Sequence, residues 1–197
     1  FRAPHARRTL LATSIATALL FAYWGLFTWV PSFLASPIEK GGAGLTLVRS
    51  IGWIVPMQVG AFFGYITFGV LADRWGRRAT FLVFVLASAV LVPAYGLFAR
   101  SPTALFVLGP LIGFFGHGYF SLFGAWLAEL YPSHLRATAQ GFCYNAGRAV
   151  SALAPVAIGA LADRHGIGVA LASTSACYLV AAVLIRYLPE TRGEALE

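Results

Sequence analysis

The chain has 197 residues, of which 59% are hydrophobic and only 11% charged. A water-soluble domain carries about 25% charged residues, so these proportions exclude an ordinary soluble fold and point to a bilayer as solvent. The net charge is +7, but the basic residues sit in short runs between long apolar stretches instead of clustering on one solvated face. That excludes a nucleic-acid binder.

A helix needs about 20 mainly apolar residues to cross the hydrocarbon. Six segments qualify, at about 10–34, 50–72, 79–99, 103–128, 137–162 and 167–188. The pattern predicts an all-α membrane protein, since surface helices of a soluble protein would need a charged stripe. Only the fifth segment carries a charge in its central region, Arg148.

The first segment holds Tyr23 and ends in Trp29-x-Pro31. The second carries Pro56, Gln58, Gly60 and Gly64, and the fourth Gly109, Pro110, Gly113 and Gly116. Small residues at this spacing let neighbouring backbones approach, and packing is their default role over direct ligand contact. The third and sixth segments are rich in Val, Leu, Ala and Phe and poor in glycine, which reads as lipid-facing wall. Trp24, Trp29, Trp53, Trp75 and Trp126 lie mostly toward helix ends, where aromatic belts form.

The connectors set an expected topology. Arg2, Arg7, Arg8, Arg74, Arg77, Arg78, Arg136, Arg186 and Arg192 fall on one side, and Lys40, Arg49, Arg100 and Arg164 on the other. By the positive-inside rule both ends of the chain are expected in the cytoplasm. Cys143 and Cys177 lie inside apolar stretches and read as small hydrophobes, so no metal or cofactor is expected. The chain begins at Phe1 without a cleavable leader pattern, and is expected to continue upstream. Its Arg-, Ala- and Gly-rich composition suggests a bacterial source.

Two stretches repeat. Gly69-Val-Leu-Ala-Asp73-Arg74-Trp-Gly76 closes the second segment and Gly159-Ala-Leu-Ala-Asp163-Arg164-His-Gly166 the fifth, 90 residues later. An odd number of crossings separates them, so they should lie on opposite membrane faces. Two inverted three-helix repeats would produce this arrangement.

The fifth segment holds a patterned face. Gly141, Asn145, Arg148, Ala152, Pro155 and Gly159 recur at helical spacing and should look into the protein. Arg148 lies about 12–16 Å from the expected helix start at 1.5 Å per residue. A charge at that depth costs at least about 2.5–3.5 kcal/mol on insertion scales. It therefore needs a watery cavity, a partner acid, backbone carbonyls or an anionic substrate. No acid lies deep in the six segments, and a guanidinium can grip a carboxylate through two parallel hydrogen bonds. His117, between Gly116 and Gly118, is either a proton acceptor or a neutral interhelical hydrogen bonder.

The loop Gly69-x-x-x-Asp73-Arg74-x-Gly76-Arg77-Arg78 resembles the signature loop of the major facilitator superfamily. Glu129-Leu-Tyr-Pro132 with Arg136 resembles the loop between that family's helices 10 and 11, and Pro189-Glu190-Thr191-Arg192-Gly193 the tail after helix 12. Gly141-Phe-Cys-Tyr144-Asn145-x-Gly147-Arg148 resembles helix 11 of metabolite:proton symporters, which include carriers of sialate and aromatic acids. The His and acid pattern of the lactate permease is absent from the first segment.

The resemblance implies helices 7 to 12 of a twelve-helix transporter in a bacterial inner (plasma) membrane, with an amino-terminal six-helix half as partner. It implies proton-coupled transport of an organic anion, with a sugar or polyol porter and a non-transporting receptor as alternatives. It places Tyr23, Gln58, His117, Asn145 and Arg148 at the substrate. Gly69, Asp73, Arg74, Gly76, Arg77 and Arg78, with a Glu129–Arg136 pair, would form a conformational latch, the alternative being plain interfacial anchoring. A membrane enzyme would need clustered His, Cys or carboxylates at one face, and the sequence offers none.

Overall fold

In the computed structural model, residues 5–192 are described, apart from the side chains of residues 47–49, 51 and 122. Arg2, Gly193 and the side chain of Arg49 thus lie outside the described residues. Six helical stretches are long and apolar enough to cross a membrane: His5–Ala35, Gly52–Trp75, Arg77–Phe98, Pro102–Glu129, Ser133–His165 and Ile167–Ile185. No strand occurs among the described residues.

Four of the six spans are interrupted. The first consists of α1 (His5–Phe27) and α2 (Val30–Ala35), the second of α3 (Leu47–Trp75) and the third of α4 (Arg77–Phe98). The fourth is α5 (Pro102–Gly118) with α6 (Phe120–Glu129), the fifth α7 (Ser133–Ser151) with α8 (Ala154–His165), and the sixth α9 (Ile167–Ser173) with α10 (Ser175–Ile185). Proline places two of the breaks. Its ring clashes with the carbonyl four residues back, and α1 and α7 stop four residues before Pro31 and Pro155. In the sixth span Ser173 and Thr174 turn their hydroxyls back onto the Ala170 and Leu171 carbonyls, a bonding pattern that bends helices.

Packing follows the small residues. The second span lies along the fourth and the first along the fifth. The third leans on the fourth, the sixth on the first, and the third and sixth on each other. Exchanging spans one, two and three with four, five and six leaves this set unchanged, as two inverted triplets require. The breaks at Trp29 and Tyr119 also fall 90 residues apart. So do Phe27 and His117, whose rings meet at 4.1 Å where the two triplets touch. Gly76 (φ 99°, ψ 159°) and Gly166 (φ 85°, ψ 151°) adopt the same left-handed turn, which only glycine adopts without strain.

Spans two and four touch backbone to backbone. A Cβ at Gly60 would run into the Pro110 carbonyl, one at Gly64 into that of Phe114, and one at Gly113 into that of Met57. Gly113→Ala is therefore expected to cost about 1–3 kcal/mol through overpacking, read as a lower melting temperature in detergent. Gly109→Ala, whose added Cβ would meet nothing within 4 Å, should leave melting unchanged.

Two expectations are corrected. The third and sixth spans expose Val83, Val90, Leu179 and Val183, but they also bury Phe81, Phe84, Tyr95 and Tyr178 in the core. The second and fifth are the barest of the six. Trp126 is no belt residue, being fully buried and stacked on Phe81 at 4.6 Å. Trp29 reaches across to the fifth span, where its Nε1 donates to the Pro155 carbonyl at 2.9 Å.

Candidate functional site

One end of the bundle gathers three of the patterned segments. Arg77, at the start of α4, donates through Nη1 to Asp73 Oδ1 at 2.5 Å and through Nη2 to Glu129 Oε1 at 3.3 Å. Glu129 also accepts from the Thr191 hydroxyl. Glu190 accepts from the backbone N–H groups of Arg77 at 2.8 Å and Arg78 at 3.0 Å, satisfying amides that a helix start leaves free. The loop after the second span, the end of the fourth and the tail after the sixth are thereby tied together. The partner of Glu129 differs from the expected one: it is Arg77, while Arg136 Nε donates to the Ala128 carbonyl at 3.2 Å. The turn at Gly76 accounts for this, because it swings Arg77 inward to 13% exposure. Arg74 is exposed, and the Cα of Gly69 faces open space in this chain.

Between spans one, two, four and five lies an open cavity of about 500 Å³. Its walls are aromatic, with Tyr23, Trp24, Tyr65, Phe120 and Tyr144, and Gln140 contributes an amide. Gly124 makes room for that amide, since a Cβ there would sit 3.0 Å from Gln140 Nε2.

Of the sequence-predicted substrate residues, only Tyr23 lines this cavity. His117 lies behind it at 4% exposure, packed at 4.1 Å on Phe27 and 5.1 Å on Tyr23. Gln58 is exposed and outside the cavity. Asn145 is exposed, but its Nδ2 donates to the Gly141 carbonyl of its own helix at 2.8 Å. The expected inward face of the fifth span is thus exposed at Asn145, Arg148 and Ala152 and covered by Trp29 at Pro155 and Gly159, while Gly147, on the opposite side, makes the contact with Ala16 and Thr17.

Arg148 is exposed and, among the described residues, forms no ion pair. It sits one residue from the midpoint of Ser133–His165, roughly 22 Å along the helix from Ser133 at 1.5 Å per residue. Gln140, Tyr144 and Arg148 follow each other at steps of four, so they form one ridge. Two members of that ridge line the cavity and the third stands a turn beyond it. The four-residue spacing is legible in the sequence, but the small residues on the neighbouring face point to Asn145 instead. Among the described residues no group of His, Cys, Asp or Glu is arranged to hold a metal ion.

Comparison with known proteins agrees with this architecture. The chain is 30% identical over 194 residues to the niacin transporter NiaP of Acinetobacter baylyi, covering 98% of the chain and 43% of that protein. It is 30% identical over 166 residues to the cis,cis-muconate transport protein of the same organism, covering 84% of the chain and 39% of the relative. The chain therefore spans less than half the length of these curated relatives, which are carriers and not enzymes. The crystal structure of the POT family transporter PepTSo superposes with a TM-score of 0.79 at 18% identity, over 97% of this chain and 40% of that one. A family profile described as Major Facilitator Superfamily matches residues 42–197. This chain of six apolar helices belongs to the Major Facilitator Superfamily.

Proposed function

We propose that the chain is the carboxyl-terminal half of a twelve-helix carrier that moves a small carboxylate-bearing solute together with protons, by alternating access. The observation that carries this reading is Arg148, a charge midway along the fifth span, unpaired among the described residues, on the ridge that supplies Gln140 and Tyr144 to the cavity. A guanidinium so placed needs a counter-charge, and a substrate carboxylate offers two parallel acceptors. Both niacin and cis,cis-muconate, for which the relatives are named, carry carboxylates. The aromatic walls suit a flat, unsaturated acid through ring stacking.

The amino-terminal half would close the other side of the cavity and supply the proton acceptor. The Arg77 end would face the cytoplasm, in line with its excess of arginine. Asp73, Arg77 and Glu129 would hold that end shut in one state and part in the other.

The test is uptake by the complete carrier in liposomes. With an alkaline interior, labelled nicotinate should accumulate and a protonophore should abolish the accumulation. Accumulation of glucose but not nicotinate would replace this reading with a sugar porter. Saturable nicotinate binding without flux would replace it with a receptor.

A further inference from the structure

The inverted repeat carries the latch residues to the opposite end of the bundle at the same offset of 90 residues. Asp73 corresponds to Asp163, Gly76 to Gly166 and Glu129 to Glu39. Both carboxylates recur, and the two glycines share one backbone conformation. The residue that bridges the acids does not recur, because Arg77 corresponds to Ile167, a buried side chain.

Asp163 and Glu39 line a cavity of about 570 Å³. Among the described residues neither forms an ion pair, and both are exposed. The basic groups of that cavity do not stand in for Arg77. Arg100 is turned inward, with Nη2 donating to the Gly96 carbonyl at 3.1 Å and the guanidinium 5.4 Å from the Phe33 ring. Lys40 and His165 line the same cavity without an ion pair to either acid.

We infer that the fold contains a second latch lacking its bridging cation, so that the two gates of the carrier are held unequally, one by ion pairs and the other by packing alone. The inference rests on the alternating-access reading above. Of the three residues that form the ion pairs, Asp73, Arg77 and Glu129, only Arg77 has a counterpart of a different kind, at position 167.

The complete carrier, made cysteine-free except for Phe120→Cys in the cavity, would report each gate. The readout is its labelling rate by a membrane-impermeant thiol reagent applied from either side. Glu129→Gln should speed labelling from its own side about threefold, the scale of a part-exposed ion pair, while Glu39→Gln leaves the rate from the other side unchanged. Ile167→Arg should slow labelling from that other side by about the same factor, and adding Asp163→Asn should reverse the slowing.

Equal acceleration by Glu39→Gln and Glu129→Gln, each on its own side, would overturn the inference. That comparison decides by itself if Ile167→Arg does not fold. Substrate added to the Phe120→Cys carrier with both gates intact distinguishes failure of the transport reading from failure of the latch inference. If it does not shift labelling from one side to the other, the alternating-access reading fails and the inference with it. If it does shift labelling and the two carboxamide variants act alike, only the inference fails.

Discussion

Arg148→Lys is expected to raise the half-saturating concentration of an acid substrate by about tenfold to a hundredfold in the complete carrier. The amine keeps the charge but loses the planar fork, and a hydrogen bond to a charged group is worth roughly 1.5–3 kcal/mol. At 1.4 kcal/mol per decade, one lost bond of this kind gives that range. Arg148→Ala should abolish uptake, since it removes both charge and fork. Uptake assays on membranes matched for carrier content would read both. Unaltered half-saturation in the lysine variant would show that the guanidinium does not grip the substrate. Asn145→Ala should have a much smaller effect, because the Asn145 amide is turned to Gly141 of its own helix.

The second large effect is expected at Arg77. Arg77→Ala removes the group that joins Asp73 to Glu129 and leaves Glu129, at 16% exposure, without its cationic partner. The expected loss is about 2 kcal/mol, since a half-buried carboxylate is stranded. Asp73→Asn should cost less, under about 1 kcal/mol, because Asp73 is 71% exposed and water screens its pair. Thermal melting in detergent gives the ranking. A larger loss in Asp73→Asn than in Arg77→Ala would contradict the geometry of the cluster. Arg186, exposed near the end of the sixth span, serves as the control, and Arg186→Ala should stay within about 0.5 kcal/mol.

The spans and the repeat were readable from the sequence because each rests on a local signal. Apolar length gave the six crossings within a few residues at each end. The repeated Asp-Arg-x-Gly gave the inverted triplets, and Gly76 and Gly166 share one backbone turn. The breaks before Pro31 and Pro155 follow from the missing N–H and the ring clash. The latch was legible as motifs but not as a pairing. Two acids and several arginines were visible, and only the turn at Gly76 decides which arginine meets Glu129.

The cavity was harder to read. Tyr65, Phe120 and Tyr144 look like ordinary apolar filling in sequence, and their convergence depends on how four spans are rotated against one another. His117 admits two readings in sequence, a proton acceptor or a neutral interhelical hydrogen bonder, and the structure buries its ring. The small neighbours Gly116 and Gly118 let Phe27 and Tyr23 pack onto it.

The backbone contacts between spans two and four bear on how the latch can part. Gly60 lies on Pro110, Gly64 on Phe114 and Gly118 on Gly64, so α5 is keyed to α3 from Pro110 to Gly118. Such contacts have no side-chain slack to absorb sliding. The keyed stretch ends where α5 gives way to α6 at Tyr119. Glu129 sits at the far end of α6, a lever of ten residues, roughly 15 Å long at 1.5 Å per residue. A tilt of α6 about Tyr119 would therefore carry Glu129 away from Arg77 while α5 stays seated, and the fulcrum would lie beside the aromatic wall of the cavity.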